Sequence, residues 1–281
     1  MAPLLAAEFY KLRKRPACRV LAFAGVGIVA VLYLMLAALL LGDLDTGSTG
    51  ASLEELRDMV ALRNTPIFGF GITQLVASVL GIVLMSLAVT SEYSWRTVLT
   101  TVNWTGERGR LLAARITVVL GFLAVGVGLG WLAAALGSVA LALADSSAGF
   151  DGIGAGFVID VLTGWGRTWL TVAVYALLAA ALSSLTRNVA AGIGIALLVR
   201  FLEPVGVQFI DVLPGWIASL QHLLISPNVD ALLQANGTLE SADPIERELP
   251  PTLQATVYLL IFCVMSAAVA IFSFSRADID V

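Results

Sequence analysis

The chain has 281 residues, 59% hydrophobic and 13% charged, with a formal net charge of −4 and a mean hydropathy of +0.93. Soluble domains carry about 25% charged residues, so this composition excludes a water-soluble globular protein and points to an integral membrane protein. It also excludes a nucleic-acid binder, because no basic patch is interleaved with aromatic residues.

The chain opens with EFYKLRKRP ahead of its first apolar run. Leu5, Phe9 and Leu12 share one helical face, and Lys11, Lys14 and Arg15 lie away from it. This spacing predicts a basic amphipathic helix within residues 1–19, lying flat among lipid headgroups, with Phe9 on the apolar side and Lys11 and Arg15 on the polar side. The plainer alternative is a positive flank that only sets orientation. Pro16 ends or bends this helix. The first span covers 20–41, which is longer than the roughly 7–15 residues of a signal-peptide core. A span needs about 20 apolar residues to cross about 30 Å of hydrocarbon. Residues 42–66 are polar, and Ser52 with Glu55 fits a capping box for a short helix outside the membrane. The second span covers 67–90, with Pro66 in its first turn, where the missing N–H is tolerated.

Between this span and the next lies SEYSWRTVLTTVNWTGERGRLLAAR, Ser91 to Arg115. Trp95, Val98, Leu99 and Val102 recur at helical spacing, so they form one face of a short helix. Ser91 is placed to cap its N-terminus, with Glu92 in the first turn against the positive end of the dipole. By spacing alone, such a helix either rests in the headgroups or serves as a handle for a soluble partner.

The EYSWRT segment after a second span, with GERGRLLAAR running into a third, resembles the permease subunits of ABC-2 type transporters. The EFYKLRKRP opening is similar to that family's first segment. The likeness covers only these two segments, and the spacing of the spans fits it. It implies that 91–110 is a cytoplasmic coupling segment seated in a cleft of a separate ATPase subunit. At that interface it implies Glu92, Tyr93, Trp95, Arg96, Thr97, Arg108 and Arg110. It further implies two permease halves, as a homodimer or with a similar chain, and export as the direction of transport.

The third span, 111–144, is long enough that it must tilt, kink or protrude, and Gly126 and Gly130 within it form a GxxxG pair for close helix packing. Residues 145–166 read as a Gly/Asp/Ser-rich outer loop, in which Phe157 to Leu162 begin the approach to the next span. The fourth span, 167–185, is joined to the fifth, 189–213, by a tight turn, so these two are antiparallel neighbours. Arg200, Glu203 and Pro204 interrupt the fifth span. Arg200 lies roughly 18 Å above Asn188 by helical rise, and at three residues' separation Glu203 is its expected partner. The pair is either a polar element on a translocation path or a neutralised pair beside the proline kink. Residues 214–251 form the largest outer segment, with short apolar-faced helices in GWIASLQHLLI and NVDALLQA, and the last span covers 253–275.

Lys11, Lys14, Arg96, Arg108, Arg110 and Arg187 fall on the N-terminal side, with few cations opposite, so both termini are expected in the cytoplasm of a multi-pass plasma-membrane protein. The predicted fold is therefore an all-α polytopic bundle of about six transmembrane helices, a single domain over 1–281.

No chemistry of its own is expected. A P-loop needs a lysine inside a glycine-rich loop, and the only lysines, Lys11 and Lys14, lie in KLRKRP. His222 is the only histidine, which rules out an HExxH site. Cys18 and Cys263 read as small buried apolar residues rather than a disulfide. No cofactor is expected, and ATP would be bound by a partner subunit. The sequence leaves two other readings open, a stand-alone secondary transporter or channel and a non-transporting subunit of a membrane complex.

Overall fold

A computed structural model describes residues 2–41, 53–94, 108–144, 154–210, 219–237 and 249–276. Helix α1, Ala2–Lys14, stops two residues before Pro16, which opens α2, Pro16–Leu41, as its first residue. The proline has no N–H to leave unsatisfied there. Helix α3, Leu53–Val60, is followed by a 3-10 turn at Leu62–Asn64 and a wide π-helical turn at Thr65–Gly69 that contains Pro66. Then come α4, Phe70–Ser94, α5, Arg108–Ala144, α6, Ala155–Thr186, and α7, Val189–Ile210. A 3-10 turn, Ser219–Leu223, leads into α8, Ile225–Gln234, and the last helix is α9, Thr252–Ser275.

Six of these helices are long and apolar enough to cross a membrane, namely α2, the stretch ending in α4, α5, α6, α7 and α9. The protein is an all-α polytopic membrane bundle, and the described residues include no strand. Helix α6 is its axis: 78% of its membrane-length window is buried, against 11% for α2 and for α7. Helices α4 and α9 pack along α6, α5 and α7 flank it, and α2 lies outermost against α5 and α4. Val172, Tyr175, Ala176 and Ala179 of α6 meet Ile82, Met85 and Val89 of α4 in the main apolar core.

The fourth span starts earlier than its composition suggests. Residues 155–166 are helical, not loop. Gly156, Gly164 and Gly166 mask the run Phe157, Val158, Val161, Leu162 and Trp165, whose spacing continues the helix. Of the GxxxG pair, only Gly130 makes a close approach: a Cβ there would lie 2.6 Å from Thr73 of α4, whereas one at Gly126 would meet nothing within 4 Å. The turn between α6 and α7 is as tight as predicted. Arg187 takes a left-handed conformation at φ 52° and ends α6. The Asn188 side-chain oxygen then accepts hydrogen bonds from the amides of Ala190 at 2.8 Å and Ala191 at 3.3 Å, capping α7. Gly192 lies against Ser183 so closely that an added methyl group would overlap it.

The coupling segment requires a correction. Residues 91–94 are the last turn of α4. Ser91 and Glu92 therefore lie inside the last turn of a helix rather than at the N-terminal boundary of a new one. The apolar pattern of the span carries the helix one turn further before the chain turns polar. The capping serine predicted for α3, Ser52, lies outside the described residues.

Candidate functional site

Two constellations built on embedded charges stand out among the described residues, beside single polar contacts such as Trp165 to the Ala124 carbonyl and Arg167 to the Ala235 carbonyl. The first lies at the end of the bundle that carries α1. Arg115, two turns into α5, is 2% exposed and is the largest fully buried side chain among the described residues. Its Nε donates to Glu8 Oε2 at 3.0 Å, its Nη2 to Glu8 Oε1 at 3.5 Å, and its Nη1 to the carbonyl of Ala88 at 3.0 Å. Lys11 adds a bond from Nζ to Glu8 Oε1 at 2.9 Å. One guanidinium thus joins α1, α4 and α5. Its planar fork suits this two-oxygen contact in a way a lysine could not. Burial alone would raise the pKa of Glu8. The charge and hydrogen bond of Arg115, together with those of Lys11, outweigh it and hold the carboxyl below its ordinary value.

This changes the reading of the N-terminal helix. Its inward face is Leu5, Glu8 and Leu12, with the carboxylate at its centre, and Leu12 is buried in the core. Phe9 is half exposed and stacks on Phe122 of α5 with ring centroids 5.3 Å apart. Helix α1 is therefore docked on the bundle by a buried ion pair, as well as amphipathic. The sequence did hold a signal: Glu8 is the first acidic residue, and the next is Asp43. Arg115 stands between Leu111–Ala114 and Ile116 in an otherwise apolar run.

The junction also frames the predicted coupling segment. From Ala88 to the end of α4 at Ser94, and from Arg115 back to the start of α5 at Arg108, each helix runs roughly 10 Å beyond the junction. Trp95, Arg96 and Thr97 lie outside the described residues, and Glu92 and Tyr93 are in the last turn of α4. Arg108 is the first residue of α5, and Arg110 is exposed. Lys11 is bonded to Glu8, and Arg15 occupies the break between α1 and α2.

The second constellation is on α7. Arg200 and Glu203 are not bonded to each other, which corrects the predicted pair. Arg200 turns inward: Nε donates to Ser78 Oγ at 3.3 Å, Nη2 to Gln74 Oε1 at 3.2 Å, and the guanidinium lies 5.1 Å from the Tyr175 ring centroid. Glu203 turns instead to the start of α8. Its Oε1 accepts hydrogen bonds from the amides of Ile225 and Ser226, the latter at 3.2 Å. Three residues on a helix differ by about 60° in direction, and here neighbours of different chemistry lie on the two sides. Polar α4 side chains and a π face take the cation, while the positive end of α8 takes the anion. Pro204 does not end α7, which continues to Ile210. His222 contributes its backbone carbonyl to Asn228 Nδ2 at 2.8 Å.

Among the described residues, no group of three or more His, Cys, Asp and Glu side chains gathers in metal-binding geometry. The arrangement offers mechanical junctions and embedded charges. Compared with protein-family models and with curated proteins, the chain has no match.

Proposed function

We propose that this chain is the membrane-spanning subunit of an ATP-driven transporter, working with a separate ATPase and a second permease copy or similar chain. The direction favoured is export, with both termini in the cytoplasm of a plasma-membrane protein. The carrying observation is the Arg115 junction, which ties α1 to α4 and α5 just behind the two ends of segment 95–107. A force applied to that segment would reach α4, α5 and α1 as one body, because the buried pair holds them at a single point. Power made elsewhere needs such an entry point. With both lysines in KLRKRP, this chain has no phosphate-gripping loop of its own. The coupling residues implied by the family resemblance, Glu92, Tyr93, Trp95, Arg96, Thr97, Arg108 and Arg110, lie on or between the two helix ends.

The test is a pull-down of the tagged chain in mild detergent from its native membrane, followed by ATPase assay and reconstitution. Recovery of an ABC ATPase whose hydrolysis drives solute movement across liposomes is the expected result. Counterflow by the purified chain without ATP, or recovery of no ATPase, would overturn the reading.

A further inference from the structure

Between α2, α4 and α5 runs a narrow apolar slot that begins beside the α1–α2 break. Its lining extends from Cys18 to Val29 on α2, from Leu84 to Thr73 on α4 and from Phe122 to Gly130 on α5, with no charged residue. By helical rise, Cys18 and Val29 are roughly 16 Å apart. That matches the hydrocarbon depth of one leaflet, about 15 Å. The volume of about 90 Å³ is room for about six to nine water-sized bodies. Over that length the slot is one alkyl chain wide. The end of the slot near α1 is positive. Lys11, Arg13, Lys14, Arg15 and Arg19 gather around the break, and Glu8 is the only acid before Asp43. Glu8 is already committed to Arg115 and Lys11. Among the described residues no carboxylate pairs with Arg13, Lys14 or Arg19, and all three are exposed. Arg19 directly follows Cys18, and its Nε donates to the Arg13 carbonyl at 2.8 Å, which turns the side chain back over the break. Phe9 of α1 stacks on Phe122 of the lining, so α1 lies across the mouth of the slot.

We propose that this site binds one anionic glycerophospholipid from the leaflet that carries α1, its phosphate against Arg13 and Arg19 and one acyl chain in the slot. Charge selects the headgroup. Several cations with one committed acid attract an anionic lipid, whereas a zwitterionic one brings its own ammonium to the same place. The guanidinium fork suits two phosphate oxygens at once. Depth is consistent, because the exposed rings of Phe9, Tyr10 and Phe23 are suited to the boundary between headgroups and hydrocarbon. The slot gives what would otherwise be a diffuse attraction a single address. A lipid seated there clasps α1 to α2 and α5 from outside the bundle, on the side opposite the buried Arg115 bond. Binding needs no ATP and no partner protein, so its failure is separable from failure of the transport reading.

The experiment titrates the purified full chain in dodecyl maltoside with dioleoylphosphatidylglycerol or dioleoylphosphatidylcholine and counts lipid adducts by native mass spectrometry. One saturable phosphatidylglycerol adduct is expected, at concentrations about tenfold below any phosphatidylcholine adduct. Arg13→Gln combined with Arg19→Gln should weaken it about tenfold or more, at about fivefold per cation. Gly126→Phe fills the slot and keeps every cation. A Cβ at Gly126 meets nothing within 4 Å, so the helices keep their places, and the adduct should again be lost. Equal binding of phosphatidylcholine, displacement by glycerol 3-phosphate, or unchanged binding in either variant would overturn the proposal.

Discussion

Replacing Glu8 by glutamine leaves the Arg115 guanidinium in place, 2% exposed and still bonded to the Ala88 carbonyl, but removes the carboxylate bound through both oxygens. Breaking a buried ion pair from one side costs about 3–5 kcal/mol, because the remaining charge is stranded, whereas replacing both partners by apolar groups is often close to neutral. Glu8→Gln and Arg115→Met should each destabilise the bundle by about that amount, and the double variant by much less than the sum. The resulting coupling energy is about 3 kcal/mol, while a solvent-exposed pair gives at most about 1 kcal/mol. The measurement is a double-mutant cycle on unfolding of the purified chain in mixed micelles, scored by tryptophan fluorescence. Additivity within about 0.5 kcal/mol would refute the buried junction and with it the single body formed by α1, α4 and α5.

Acid should weaken the same junction. The folded pKa of Glu8 is lowered from an ordinary 4.5, so its contribution is complete above that value and is lost as pH falls through the lower, folded one. The stability gap between wild type and Glu8→Gln should therefore close below about pH 4.5. A gap unchanged in melts at pH 7 and pH 3 would contradict this. On α7, a cycle between Arg200→Met and Glu203→Gln should give a coupling under about 0.5 kcal/mol, since the two side chains serve different neighbours. Coupling above about 1.5 kcal/mol would restore the direct pair. Glu92→Ala and Trp95→Ala should uncouple ATP hydrolysis from transport while the chain still inserts. Normal transport in both would remove the coupling role of 91–110. Gly192→Ala should destabilise the α6–α7 hairpin by about 1–3 kcal/mol, because Ser183 occupies the space. An unchanged unfolding midpoint would disprove that crossing.

The spans could be read from sequence because lipid demands about 20 consecutive apolar residues, and that demand shows as length and composition. The Thr186–Asn188 turn was equally legible, since there the apolar pattern breaks only briefly. Helix starts were less so. Glycines at 156, 164 and 166 look like loop signals, yet the close contact of Gly164 with Phe70 gives one of them a packing role inside α6. The embedded charges were visible, but their partners were not. Separation by three residues suggests a pair on any isolated helix, and only packing reveals that Gln74 and the α8 amides are nearer matches. Glu8 was hidden for a related reason. Periodicity weighs apolar residues, so a buried carboxylate on the same face as Leu5 and Leu12 escapes it.

The two-residue link from α6 to α7 bears on how the chain enters the bilayer. Helix α7 carries Arg200 and is little covered by protein, so it is a poor candidate to insert alone; an arginine near the centre of a lone helix costs at least about 2.5 kcal/mol. Joined so tightly, α6 and α7 are suited to insert as one hairpin, which would carry the Tyr175 ring in with the guanidinium. Gln74 and Ser78 belong to an earlier span, more than 100 residues ahead of Arg200 in the order of synthesis. The order of synthesis thus places the acceptors ahead of the donor, so a partner for that cation is made before the cation itself.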